Sequence, residues 1–112
     1  MRKIDKIILH CTATKDDHDV SVHDIDIWHK ARGWKMCGYH FLVRLDGEIE
    51  RARPINMVGA HARGFNKTSI GIAYAGGIDK YGNAVNTMSK AQTDSMFVLI
   101  DSLAVIFGQL EL

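Results

Sequence analysis

The chain has 112 residues, 46% hydrophobic and 24% charged, with a formal net charge of +1, the profile of one ordinary globular domain with a single core. So even a balance gives no electrostatic footprint for nucleic acid, and no Lys/Arg cluster is longer than a local pair. No apolar run approaches the roughly 20 residues of a membrane span, and the N-terminus leads into an apolar strand rather than a signal-peptide core. The expected partners therefore include neither nucleic acid nor a membrane, and the expected location is the cytoplasm.

In chain order, residues 3–11 read as a first strand. Ile4, Ile7, Ile8 and Leu9 are too continuous for a half-exposed strand, so this one is expected at the centre of its sheet, with His10 where the apolar run gives way to a polar loop over residues 12–20. Ser21 with Asp24 forms the pattern of a capping box, and Val22, Ile25 and Trp28 recur at helical spacing until Gly33. Residues 38–45 and 48–53 read as two strands joined at Asp46-Gly47, a strong hairpin signal, with Pro54 ending the second.

Residues 56–68 carry Gly59 and Gly64 and little periodicity, a loop crossing the site with room for a short strand over 58–61. Residues 69–75 form a strand whose small residues Gly71, Ala73 and Ala75 permit close packing on one face, and Gly76-Gly77 breaks it. A turn-rich connection follows. Ser89 and Gln92 make a second capping box, and Gln92, Met96, Leu99, Ile100, Leu103 and Phe107 trace one face of a long helix that stops at Gly108. No internal repeat, low-complexity tract or domain linker appears, so one domain over 1–112 is expected.

The chemistry-bearing candidates are histidines, six in all. His18, His23 and His29 fall in the polar loop and first helix and read as structural or solvated. His10, His40 and His61 fall at strand edges or in a Gly-rich loop, where side chains converge. Spacing alone allows these three as a zinc triad, since a catalytic zinc needs about three protein ligands and an open position for water. Cys11 does not join His10 on one metal, because adjacent strand residues point to opposite faces. Cys11 and Cys37 fit neither a disulfide framework nor a CxxC site and read as reduced, buried thiols.

The run Trp28-His29-Lys30-Ala31-Arg32-Gly33-Trp34 leading to Gly38-Tyr39-His40-Phe41-Leu42-Val43 and Asp46-Gly47 resembles the type 2 N-acetylmuramoyl-L-alanine amidases, a family that includes phage lysozymes of the T7 type and peptidoglycan recognition proteins. Ile8-Leu9-His10-Cys11-Thr12-Ala13-Thr14 resembles its first metal-ligand strand. Gly59-Ala60-His61, Asn66 and the run from Ser69 to Gly77 resemble its next blocks. The blocks span nearly the whole chain in family order; Ala52 before Arg53 departs from a glycine expected there.

The resemblance implies an α/β fold with a central mixed sheet flanked by helices. It also implies a zinc-dependent hydrolase, of phage or prophage origin, that cleaves the amide between the lactyl group of N-acetylmuramic acid and the first L-alanine of the stem peptide. It implies His10 as a zinc ligand and Tyr39 as the site tyrosine, which orients the metal-bound water or stabilises the oxyanion. His40, His61 and Thr12 would line the substrate groove. It also places a second histidine ligand, a catalytic lysine and a third ligand on a strand and loop after the last long helix, and the chain given stops at Leu112. The expectation is that residues 1–112 hold one of three family ligands and do not complete the enzyme by themselves. Peptidoglycan or muramyl peptides are the expected partners, and a strand edge left open beside the first strand is a place for self-association. The alternative is a non-catalytic peptidoglycan-binding module or an inactive endolysin remnant.

Overall fold

A computed structural model describes residues 2–34, 36–108 and 110–112. The elements in order are β1 (Lys6–Cys11), β2 (Thr14–Lys15), α1 (Val22–Ala31), β3 (Phe41–Val43), β4 (Ile49–Arg51), a 3-10 turn (Asn66–Thr68), β5 (Ser69–Tyr74), β6 (Gly77–Ile78) and α2 (Lys90–Phe107). Four strands form a mixed sheet in the order β1-β5-β3-β4. β5 runs parallel to both β1 and β3, while β3 and β4 are antiparallel. The expected α/β architecture with a central mixed sheet is what forms.

Period-2 alternation divides the core between the two faces of this sheet. Ile7, Phe41, Val43, Ile70 and Ile72 pack with Met96, Leu99 and Leu103 of α2. Leu42, Ala73 and Ala75 face the other way, toward Val20, Ile25 and Cys37. The small residues of β5 belong to this second face, where the site lies.

Both capping boxes are formed. Asp24 N–H donates to Ser21 Oγ at 3.2 Å and Gln92 N–H to Ser89 Oγ at 3.1 Å, with the reciprocal bonds to Asp24 and Gln92 closed. Gln92, only 1% exposed, also reaches beyond its own helix. Its Nε2 donates to the Ala75 carbonyl at 2.9 Å and pins the start of α2 to the end of β5. Gln92→Leu strands that carbonyl and opens the cap, and is expected to cost about 2 kcal/mol. A urea titration checks this, with a lower midpoint at unchanged slope as the expected outcome. The hairpin turns where expected, with Gly47 at φ +91 and Arg44 N–H bonded to the Glu48 carbonyl at 2.8 Å.

Three expectations are corrected. β1 is an edge strand of the four-stranded sheet rather than its centre, and Leu9 is 43% exposed. Among the described residues its outer side is met only at Glu111, which bridges Lys6 in parallel: Ile7 N–H donates to the Glu111 carbonyl at 2.8 Å and Glu111 N–H to that of Asp5 at 3.0 Å. A continuous apolar run therefore does not distinguish a central strand from one whose outer neighbour is a single bridge. No strand forms over residues 58–61; that segment is held by side chains instead, as described below. In α1, Trp28 is 38% exposed and His29, at 7%, takes the inward position beside Ile25. The short parallel pair of β2 and β6 was not legible, being two residues long and joining positions far apart in the chain.

Candidate active site

His10 lies next to the end of β1, in register with Ala73, and therefore on the sheet face away from α2. The chain then bends at Ala13, a non-glycine residue at φ +56, into β2. Thr12 fixes that bend: its hydroxyl accepts from Gly76 N–H at 3.0 Å and lies 2.7 Å from the Thr14 hydroxyl. The Tyr39 ring stands 5.2 Å from the His10 ring and 5.6 Å from that of His29. Burial raises the Tyr39 phenol above its ordinary range, so it is an O–H donor at neutral pH.

His61 comes from the loop before β5. The Asn66 side-chain carbonyl accepts from the N–H groups of His61 and Ala62 at 3.0 and 2.9 Å, giving that irregular segment its shape. The His61 ring occupies the space over Gly71, where a Cβ would come within 2.5 Å of its Cγ. From there His61 Nδ1 lies 2.9 Å from His10 Nε2, and its Nε2 lies 3.2 Å from Ser69 Oγ.

The two other buried histidines are braces. His29 Nδ1 accepts from Gly38 N–H at 2.9 Å. His40 Nδ1 accepts from Gly71 N–H at 3.0 Å, so its proton is on Nε2, 2.9 Å from the Met57 carbonyl. The Arg2 guanidinium, 3.1 Å from the same Nε2, cannot donate to a nitrogen already carrying a proton and bonds instead to the carbonyls of Ile55 and Ser69. Burial, first of all, lowers the pKa of both rings and keeps them neutral.

A cleft of about 400 Å³ opens here, walled by His29, Arg32, Trp34, Tyr39, His61 and Arg63 among others. A smaller one of about 190 Å³ shares His29, Arg32 and Tyr39 and continues to Thr12 and Trp28. The structure thus brings His10, Tyr39 and His61 together and puts Thr12 on the same side. His40 is corrected. At 1% exposure, with both ring nitrogens engaged, it sits inside the wall and borders a different cleft, with Arg51, Pro54 and Ile55. Arg32 and Arg63 were not singled out in the sequence. The signal for Arg63 was its place in the Gly-rich loop two residues past His61.

The described residues do not by themselves make a zinc site. The His10, His40 and His61 rings are neighbours, with His61 5.0 Å from His10 and 5.8 Å from His40. However, His40 has no free nitrogen, and the nitrogens of His10 and His61 that approach each other lie along a hydrogen bond. Cys11, expected to be buried, is only half-buried and packs against Gly77, while burial pushes the Cys37 thiol up to about 11, far from thiolate. Among the described residues, no group of three or more His, Cys, Asp or Glu could hold a metal ion. Of the triad that spacing allowed, His10 and His61 are hydrogen-bonded to each other, and His40 is bonded to the Met57 carbonyl and Gly71 N–H instead.

A mixed sheet with a histidine near the end of its first strand, its ring 5.2 Å from that of a tyrosine that walls a cleft, agrees with the comparison to known proteins. The model of the N-acetylmuramoyl-L-alanine amidase family matches residues 1–109, and the chain belongs to that family. Within it, the chain is similar to the endolysin of Klebsiella phage KP32, 43% identical over 100 residues that cover 89% of this chain and 66% of the relative. It is also 33% identical to peptidoglycan-recognition protein SC2 of Drosophila melanogaster over 109 residues, covering 92% of this chain and 56% of that protein. Among solved structures, the endolysin amidase LysCS from Clostridium intestinale URNW superposes with a TM-score of 0.85 at 34% identity, covering 98% of this chain and 67% of that one. The chain spans about two thirds of the length of the phage endolysins it matches.

Proposed function

We propose that this site is built for the lactyl–L-alanine amide of peptidoglycan, and that residues 1–112 supply its groove and part of its chemistry. The observation that carries this reading is the placement of His10 and Tyr39, rings 5.2 Å apart, beside a cleft walled by Arg32, Trp34 and Arg63. The aromatic wall suits the apolar parts of a muramyl peptide, and the two guanidinium groups suit its carboxylates. Tyr39, a protonated phenol, donates to the oxygen of the amide carbonyl. In the complete enzyme, zinc would polarise that carbonyl and lower the pKa of its bound water toward ~7. His10 is the one implied ligand that this chain contains, so no hydrolytic step is assigned to residues 1–112 alone. Such an enzyme is made in the cytoplasm and acts on the wall after release.

The failure of the described residues to form a metal site favours a second reading for the chain as given, a binding module that holds muramyl peptide without cleaving it. The two are separated by assaying stem-peptide release from purified cell walls. This chain is expected to release none. The same chain extended by a histidine-bearing strand and a Lys-x-Cys loop is expected to release it in a zinc-dependent way. Zinc-dependent release by residues 1–112 alone would overturn the division. The outer edge of β1, where strand alternation turns the backbone groups of Leu9 and Cys11 outward, is the place for an added strand from such an extension or from a second copy.

A further inference from the structure

We propose that Ser69, acting through His61, is the positioning residue that decides which nitrogen of His10 carries its proton. This rests on the reading of His10 as the centre of the site. Three side chains form one line of hydrogen bonds: Ser69 Oγ to His61 Nε2 at 3.2 Å, and His61 Nδ1 to His10 Nε2 at 2.9 Å. A neutral imidazole has one donor and one acceptor nitrogen, so the bonds along this line must all run the same way.

The direction is set at its buried end. Ser69 is 0% exposed, and His61 is the only partner of its hydroxyl among the described residues. If the line ran from His10 to Ser69, the serine would accept, and its own proton would be left in the interior without an acceptor. Run the other way, every group is met. Ser69 O–H donates to His61 Nε2, His61 Nδ1–H donates to His10 Nε2, and His10 keeps its proton on Nδ1. The 2.9 Å approach of His61 Nδ1 to His10 Nε2 needs one of the two nitrogens to be unprotonated, and a neutral ring on each side satisfies the whole line.

His10 Nδ1 is the atom this arrangement prepares. It has no protein partner among the described residues, yet no buried side-chain nitrogen or oxygen among them lacks one, so Nδ1 is open to solvent. With the line running from Ser69, that atom is an N–H, a donor for a carbonyl or carboxylate oxygen of a bound peptide. With the line reversed, at no net gain or loss of protons, the same atom becomes a lone pair, the form a metal ion requires. Gly71 is part of the device: only without a Cβ can the His61 ring lie close enough to the sheet to reach both neighbours.

The test is nitrogen-15 NMR of the histidine-labelled chain at neutral pH, with the His10 signals assigned by their loss in His10→Gln. His10 is expected with its proton on Nδ1 and an unprotonated Nε2, the less favoured tautomer of a free imidazole. In Ser69→Ala the proton is expected to move to Nε2, inverting the ratio of the two forms by tenfold or more. His61→Phe, which cuts the line but fills the space, is expected to do the same and serves if Ser69→Ala does not fold. A parent His10 protonated on Nε2, or a tautomer ratio unchanged in the folded variants, would overturn the proposal. The measurement uses no peptidoglycan, so it fails or succeeds independently of the functional reading.

Discussion

Replacing Gly38 by alanine is expected to destabilise the protein by about 3 kcal/mol or more, with no change to the polarity of any side chain. A Cβ at this position would stand 2.0 Å from the Ala60 carbonyl oxygen, and backbone cannot turn aside as the end of a long side chain can. The same two residues are tied by Ala60 N–H to the Gly38 carbonyl at 3.0 Å, and Gly38 N–H is the donor to His29 Nδ1. Relief of the clash must therefore separate the loop that carries His61 from the segment that carries Tyr39, which is the floor of the cleft. Urea unfolding of Gly38→Ala beside Gly33→Ala makes the comparison. Nothing lies within 4 Å of a Cβ on Gly33, so its cost is confined to its positive φ of +86. A loss at Gly38 no greater than at Gly33 would show that the close approach is not maintained in solution.

The second large effect is a loss of stability in mild acid. His29 and His40 are 7% and 1% exposed, and each accepts a backbone N–H at Nδ1, a position where an added proton would face another proton. Their pKa values are lowered in the folded protein, chiefly by burial, with Arg32 beside His29 and Arg2 near His40 acting in the same sense. Above an unfolded pKa of about 6.5 both states are neutral, and the stabilisation from the neutral rings is fully present. As the pH falls below that value the unfolded chain takes up protons that the folded chain refuses. Stability then drops by about 1.4 kcal/mol per pH unit for each such histidine, until its folded pKa is reached. Chemical denaturation from slightly alkaline to mildly acidic buffer should give a plateau and then a decline that begins near the unfolded histidine pKa. A profile flat through that region would mean that these rings are solvated.

What could be read from the sequence was local or block-like. Both capping boxes and the Asp46-Gly47 turn are set by neighbours within a few residues, so their chemistry is written contiguously. His10 and Tyr39 were found through the blocks around them, and the fold brings their rings together. The misses are of another kind. β1 was placed at the sheet centre because its apolar run does not reveal how little of its outer edge is paired. His40 was assigned to the groove, yet its two bonds, to Gly71 and Met57, join three segments that only the tertiary structure aligns. The connection from Ser69 through His61 to His10 spans both ends of the sheet register and leaves no pattern in the chain. The exchange of Trp28 for His29 on the inner face of α1 follows from Gly38, whose N–H needs an acceptor there.

That residues 1–112 form the muramyl-peptide groove of an amidase-family site without its complete metal centre is tested most directly by a binding titration. The chain is titrated with a soluble muramyl peptide that keeps the lactyl–L-alanine linkage, following Trp fluorescence with and without a chelator. Saturable binding, unchanged by the chelator and weakened at least tenfold by Arg63→Ala, is the predicted result. A flat titration, or binding abolished by the chelator, would contradict it.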